Sequence, residues 1–256
     1  MEPRIATALL VFGLLFCTAA IAESYDFDFY HYVLMWPGAY CAQSKKGCCL
    51  PKTGPPAEDF FVSGLMTYSK DDEPVTKCTN TSFYKNLMSE VNGDLYKYWA
   101  TIKCPSADGL SMWRSDWKTY GVCSNLTQVD YFNKGLELRA KVDLITFLKN
   151  NGIVPSTTTT YSVIHLEDVI STWVGASVTI RCSTIYNTNK YQLYEVHMCV
   201  DTDASTFIDC PTIPRFTCSP RIHFLPFSTN MLKTSYNGAE DSDPMFINPI
   251  KMTISE

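Results

Sequence analysis

The chain has 256 residues, 46% of them hydrophobic, with 21 Lys and Arg against 26 Asp and Glu, a formal net charge of -5 and a pI near 5.4. This balance weighs against a general affinity for polyanions, because counterion release from phosphates needs clustered Lys and Arg. The apolar content suffices for one substantial core, and no Gly/Ser linker, repeat or low-complexity run divides the chain, so a single domain is expected.

At the N-terminus, Arg4, an apolar run from Ile5 to Ala20 and an Ala20-Ile21-Ala22 site before Glu23 form the pattern of a cleaved secretory signal over residues 1-22. The alternative is a buried N-terminal helix; the run is short for a membrane span, and no membrane association is expected. Tyr25 to Trp36 alternates Phe27 and Phe29 with Asp26 and Asp28 and ends at Pro37-Gly38, which predicts a strand entering a turn. Phe60 to Leu65 reads as a second strand. From Ser82 a helical spacing runs through Phe83, Leu87, Val91, Leu95 and Tyr98, weakened by Gly93. A stronger helix starts at a Thr127 cap, carries Val129, Phe132, Leu136, Ala140 and Leu144 or Ile145 on one face, and stops at Asn151-Gly152.

Leu166 to Val174 predicts a short helix ended by Gly175, and Ala176 to Cys182 and Tyr191 to Val200 predict strands, the latter alternating Tyr194, Val196, Met198 and Val200 against Glu195 and His197. Helices interspersed with hairpin-spaced strands predict an α+β fold, a single disulfide-rich domain over residues 23-228 with a central antiparallel sheet and several helices. Residues 229-256 change character and read as a C-terminal extension, polar and turn-rich from Tyr236 to Pro244 and apolar again from Phe246 to Ile250.

With Cys17 in the segment to be removed, ten cysteines remain. An even number in a secreted context argues for five disulfides over metal ligation or redox chemistry, although spacing leaves the connectivity open and Cys48-Cys49 also permits a vicinal pair. No spacing of His, Cys, Asp and Glu suggests a metal, and no cofactor is expected. Asn80-Thr81-Ser82 and Asn125-Leu126-Thr127 are glycosylation sequons.

Two segments carry a family resemblance: Asp59-Phe60-Phe61-Val62-Ser63-Gly64-Leu65-Met66 and Trp113-Arg114-Ser115-Asp116-Trp117-Lys118-Thr119-Tyr120-Gly121-Val122-Cys123. They resemble the two active-site motifs of the ribonuclease T2 family, approximately Phe-x-Ile-His-Gly-Leu-Trp-Pro and Trp-x-His-Glu-Trp-x-Lys-His-Gly-Thr-Cys in its plant S-like members. Ser63, Ser115 and Tyr120 stand where the family has its histidines, Asp116 where it has glutamate, and Thr119 where it has lysine. Similarity also covers Trp36-Pro37, Tyr40-Cys41, Cys48 to Pro51, Cys104-Pro105, Tyr194 to Asp201 and Cys210-Pro211, so it spans roughly residues 25 to 227. The resemblance implies pairing of Cys41 with Cys48, Cys49 with Cys104, Cys78 with Cys123, Cys182 with Cys218, and Cys199 with Cys210. In the tail, Asn248-Pro249-Ile250-Lys251 is similar to a plant vacuolar sorting signal.

Family members cleave RNA by transphosphorylation, which needs groups that give and take protons near neutral pH. Imidazole, at pKa about 6.5, is suited to this and serine is not. Tyr120, with an ordinary pKa about 10, is a poor base, and Thr119 supplies no cation. The reading is therefore of degenerate positions, no catalytic residues and no enzyme. Met66 and Thr67 stand where the family forms a cleft wall, so strong nucleic-acid binding is not expected, and no other partner is required. Of the histidines, only His31 is placed near the cleft. The function inferred is that of a catalytically inactive storage protein of plant vegetative tissue, in the vacuole or outside the cell. The alternative is a non-enzymatic defence, signalling or ligand-binding protein.

Overall fold

A computed structural model describes residues 25-212 and 215-234; the expected signal segment and the Asn248-to-Lys251 match lie outside them. The chain builds β1 (Phe29–Met35), α1 (Pro37–Ala42), β2 (Phe61–Tyr68), α2 (Asn92–Tyr98), α3 (Leu110–Thr119), α4 (Gln128–Val142), α5 (Leu144–Asn150), β3 (Thr160–Ser162), α6 (Val163–Val174), β4 (Thr179–Thr184), β5 (Tyr191–Val200), β6 (Phe207–Ile208) and β7 (Arg221–His223). This is the expected α+β fold. The sheet runs β2-β1-β5-β7-β3, with β4 and β6 also pairing β5. Its pairings are antiparallel except for a single parallel contact, Gln192 with His223, between β5 and β7.

Three sequence expectations are revised. The helix expected from Ser82 is a 3₁₀ turn at Lys85–Met88 followed by the separate α2, as the weakening at Gly93 foreshadows. Thr127 caps α4 as expected, its hydroxyl accepting from the Asp130 amide, but Asp143 adopts a left-handed conformation and divides the long helix into α4 and α5. Third, β5 does not alternate between core and solvent. It is central and buried on both faces, Glu195 and His197 included; a strand covered on both sides loses the period of two that a one-sided strand shows.

One face of the sheet meets the helices. The Tyr30 hydroxyl donates to the Ser124 carbonyl at 3.0 Å and the Tyr32 hydroxyl to the Gly135 carbonyl at 2.8 Å. Gly135 is required here, since a Cβ would lie 2.5 Å from the Trp99 ring. Arg139 on α4 ion-pairs with Asp59 just before β2 and stacks over the Tyr98 ring, tying α4, α2 and β2 together. The opposite face is covered by a smaller cluster of Phe29, Tyr68 and Cys199, with Met66, Ile208 and Cys210 packed on it. Five disulfides join the cysteines in the pairing that the resemblance implies. Residues 229-234, assigned to the extension, pack on the domain: Leu232 is buried, and Lys233 exchanges backbone hydrogen bonds with Cys48 and Leu50.

His31 is fully buried on β1. Its Nε2 lies 3.0 Å from Nδ1 of His197, whose Nε2 lies 3.1 Å from Glu195, which in turn holds Arg181 at 3.0 Å. The Tyr68 ring meets His31 edge-on, and His31 Nδ1 has no partner. Burial, reinforced by the charge of His197, holds the His31 imidazole well below its ordinary pKa. Above about pH 6.5 the ring is neutral in the folded and unfolded chains alike; below it the unfolded chain binds a proton that the folded one refuses. Stability is therefore lost as pH falls below about 6.5. His31→Phe should flatten that dependence, seen as a smaller drop in Tm between pH 7.5 and pH 5 than the parent shows, whatever its effect on absolute Tm.

Candidate active site

The two motifs come to one locus from β2 and α3. On β2, Val33 pairs with Gly64 and Leu34 with Val62, so Ser63 between them is an extra, bulged residue. Its side chain is exposed while Val62 and Gly64 are buried. Bulges of this kind re-aim a side chain beside functional sites. Neither composition nor alternation in the strand announces it.

On α3, Ser115 is exposed, Asp116 and Thr119 are half-buried, and Tyr120 forms the half-buried C-cap, its amide donating to the Asp116 carbonyl at 2.9 Å. Asp116 and Tyr120 are four residues apart and share a helix face. The helix is seated by tryptophans. Trp113 Nε1 donates to the Trp99 carbonyl at 2.9 Å, and Trp99 Nε1 donates to Asp116 Oδ2 at 3.2 Å. Trp117 packs where a Cβ on Gly121 would approach to 2.3 Å, so the turn after α3 demands glycine. Tyr131 on α4 touches the Trp99 and Trp117 rings and donates its hydroxyl to the Leu65 carbonyl of β2 at 2.7 Å, linking the two motifs. Trp113 and Trp117 are thus core residues.

Electrostatics single out Asp116. Desolvation raises its pKa from 3.8 to about 7, against the opposing pull of the Trp99 hydrogen bond. Its charge in turn adds to the burial that pushes Tyr120 and Tyr131 up, and Tyr120 adds to the burial that raises Tyr68 on β2. A carboxyl group pushed up to about 7 can hold a transferable proton near neutral pH, which marks Asp116 as a candidate acid-base group. The sequence signal was available: Asp116 lies next to Trp117 and three residues after Trp113, an apolar setting for an acid.

Several expected site residues fall elsewhere. Thr67 is fully buried, its hydroxyl donating to the Val75 carbonyl at 2.6 Å, and Met66 packs on the Phe29, Tyr68 and Cys199 cluster. Strand alternation beyond the bulge turns Met66 onto the sheet's second face, and Thr67 is sealed in the fold. His31 is sealed against His197 and takes no part. Among the described residues no group of three or more His, Cys, Asp or Glu is placed to hold a metal ion.

The fold and the seating of both motifs define a ribonuclease-type domain, and residues 27-210 match the model of the Ribonuclease T2 family. The chain belongs to that family. It is 41% identical over 205 residues to Ribonuclease 3 of Arabidopsis thaliana, covering 79% of this chain and 91% of that protein. It is 28% identical over 181 residues to a Ribonuclease-like storage protein of Panax ginseng, covering 70% and 73% respectively. Among solved structures, RNase NT in complex with 5'-AMP superposes with a TM-score of 0.75 at 35% identity, covering 79% of this chain and all of that one.

These relationships overturn the expectation that the chain is not an enzyme: a relative 41% identical across the domain is named a ribonuclease, and a 35% identical structure holds a nucleotide. The physical error lay in giving every remaining group its ordinary pKa. Loss of imidazole removes neutral-pH proton transfer only if no other group is shifted toward 7, and burial pushes the Asp116 carboxyl up to about 7.

Proposed function

We propose that the chain is a ribonuclease of the secretory pathway, in the vacuole or outside the cell, whose proton-transfer group is Asp116 in place of imidazole. The observation that carries this is the Asp116 carboxyl, raised to about 7 by burial on the second active-site motif. In the family's reaction the RNA 2′-oxygen bonds to phosphorus as the bond to the 5′-oxygen breaks. Here the Asp116 carboxylate takes the 2′-hydroxyl proton, the Ser63 and Ser115 hydroxyls donate to phosphate oxygens, and water protonates the departing 5′-oxygen. No lysine stands at position 119 to offset charge on phosphorus, so turnover is slow. With a net charge of -5 the ground-state complex is weak, and a dissociation constant above micromolar is expected for oligonucleotides at physiological salt.

The test is cleavage of single-stranded RNA by the purified full chain. Activity should co-elute with the protein and rise with pH through about 7 as the carboxylate forms. Absence of cleavage above a mock preparation between pH 5 and 9 would sink the proposal.

A storage role is a second reading, compatible with the first, and it is favoured by the name of the ginseng relative. It requires the chain to be a major soluble protein of its organ, which a single gel of the source tissue decides.

A further inference from the structure

A pocket of about 350 Å³, lined by neither Ser63 nor Asp116, lies between the loop after Cys78 and the start of α4. Trp117, Tyr84, Leu87 and Tyr25 give it apolar walls, and Thr81, Ser82 and Thr127 complete the lining, the Thr127 hydroxyl being held by Asp130. Tyr84 and Leu87 are 54% and 46% exposed, large apolar surface for side chains at a pocket mouth. The pocket is firmly built. Gln128 clamps Tyr84 by accepting from its amide at 2.8 Å and donating to its carbonyl at 2.9 Å, and the Cys78–Cys123 disulfide pins the loop to the domain.

Both sequons meet here. Asn125 forms one wall, its Oδ1 accepting from the Tyr25 amide at 2.8 Å and its Nδ2 donating to the Tyr25 carbonyl at 2.9 Å. Asn80 precedes the lining residues Thr81 and Ser82 and is exposed in an irregular segment, in which the Thr79 hydroxyl accepts from the Thr81 amide at 3.1 Å. Among the described residues the Asn80 amide makes no hydrogen bond. The two sequons therefore differ: the Asn125 amide is used to hold a wall, and the Asn80 amide is left to carry a substituent.

We propose that this pocket seats the first N-acetylglucosamine of a glycan attached to Asn80. A pyranose ring offers an apolar C–H face that suits Tyr84 and Tyr25, an acetamido methyl that suits Leu87 and Trp117, and hydroxyls that suit Ser82 and Thr81. The volume lies within the ~300–1,000 Å³ of sites that enclose small ligands. The sugar covers the exposed faces of Tyr84 and Leu87 and ties the loop to α4. The inference rests on entry of the chain into the secretory pathway, which oxidation of the ten cysteines reads out separately.

The experiment uses the full chain secreted from plant cells. Glycopeptide mass spectrometry should find Asn80 occupied. Trimming with an endoglycosidase that leaves one N-acetylglucosamine should leave Tm unchanged, and Asn80→Gln should lower it by about 2–4 °C, the shift expected for roughly 1 kcal/mol in a domain of this size. In a Tyr84→Ser background the Asn80→Gln shift should vanish, because the two changes remove the same contact. An unmodified Asn80 in a chain with oxidised cysteines, or an Asn80→Gln shift of equal size with and without Tyr84, would overturn the proposal. The first result leaves the secretory assignment standing; reduced cysteines would remove both.

Discussion

Asp116→Asn should lower the rate of RNA cleavage by about 10²- to 10⁴-fold, the usual contribution of one acid-base group, and should make the protein more stable at the same time. The rate falls because an amide cannot accept the 2′-hydroxyl proton. The stability rises because the folded state holds Asp116 at about 7 against 3.8 in its absence, so at pH 8 the carboxyl is ionised in both states and the folded one bears the cost of desolvation. At about 1.4 kcal/mol per pKa unit this is at most about 4 kcal/mol once reduced by the water that reaches a half-buried group. Asparagine keeps an oxygen for the Trp99 indole. The sign reverses nowhere: below pH 3.8 both states are protonated and the penalty is absent, between 3.8 and 7 it grows, and above 7 it is complete. The variant should therefore melt several degrees higher than the parent at pH 8 and at the same temperature near pH 3.5, by scanning calorimetry. Lost activity without the pH-dependent gain would mean that the asparagine disturbs the site rather than neutralising a strained acid. A gain in stability with activity unchanged would remove Asp116 from the chemistry.

Fold and chemistry differ in how far a sequence reports them. Strand and helix periods, the Thr127 cap and the Gly175 stop are local, and each was legible because a side chain's pattern reports the element it sits in. The family motifs carried the disulfide pairing. Two things that position the site are not local. The bulge at Ser63 depends on the register between β1 and β2, which no single strand encodes. The pKa of Asp116 depends on its burial in the fold, opposed by the indole of Trp99 arriving from the end of α2. Residue identity at Ser63, Ser115 and Tyr120 was read correctly, but identity alone fixes a group's pKa only in water. Burial decided the rest, as it did for β5, whose second covered face erased the expected alternation.

Placing imidazoles back at the motif positions should raise activity, and by how much depends on whether the frame has kept its geometry. Ser63 and Ser115 are exposed, so histidine there displaces no core packing and should cost little stability. Tyr120 is half-buried at the end of α3, beside Tyr68 and Asp116, and histidine in its place leaves room rather than crowding the site. With Ser63→His, Ser115→His, Tyr120→His and Thr119→Lys together, the site regains an acid, a base and a cation while Asp116 remains. Each acid-base partner is worth about 10²- to 10⁴-fold when well placed, but the gain shrinks steeply once groups stand more than about 0.5 Å from productive positions. An increase of about 10²-fold over the parent is the expected outcome, with the pH profile moving to lower pH as groups near 6.5 take over from one near 7. Adding Met66→Trp and Thr67→Pro should bring no further gain, because Met66 faces the second side of the sheet and Thr67 is buried with its hydroxyl bonded to Val75. If the fourfold variant keeps its five disulfides and its circular dichroism spectrum yet cleaves no faster than the parent, then the bulge on β2 and the face of α3 no longer aim at one point. In that case any cleavage by the parent belongs to Asp116 alone and not to a surviving ribonuclease frame.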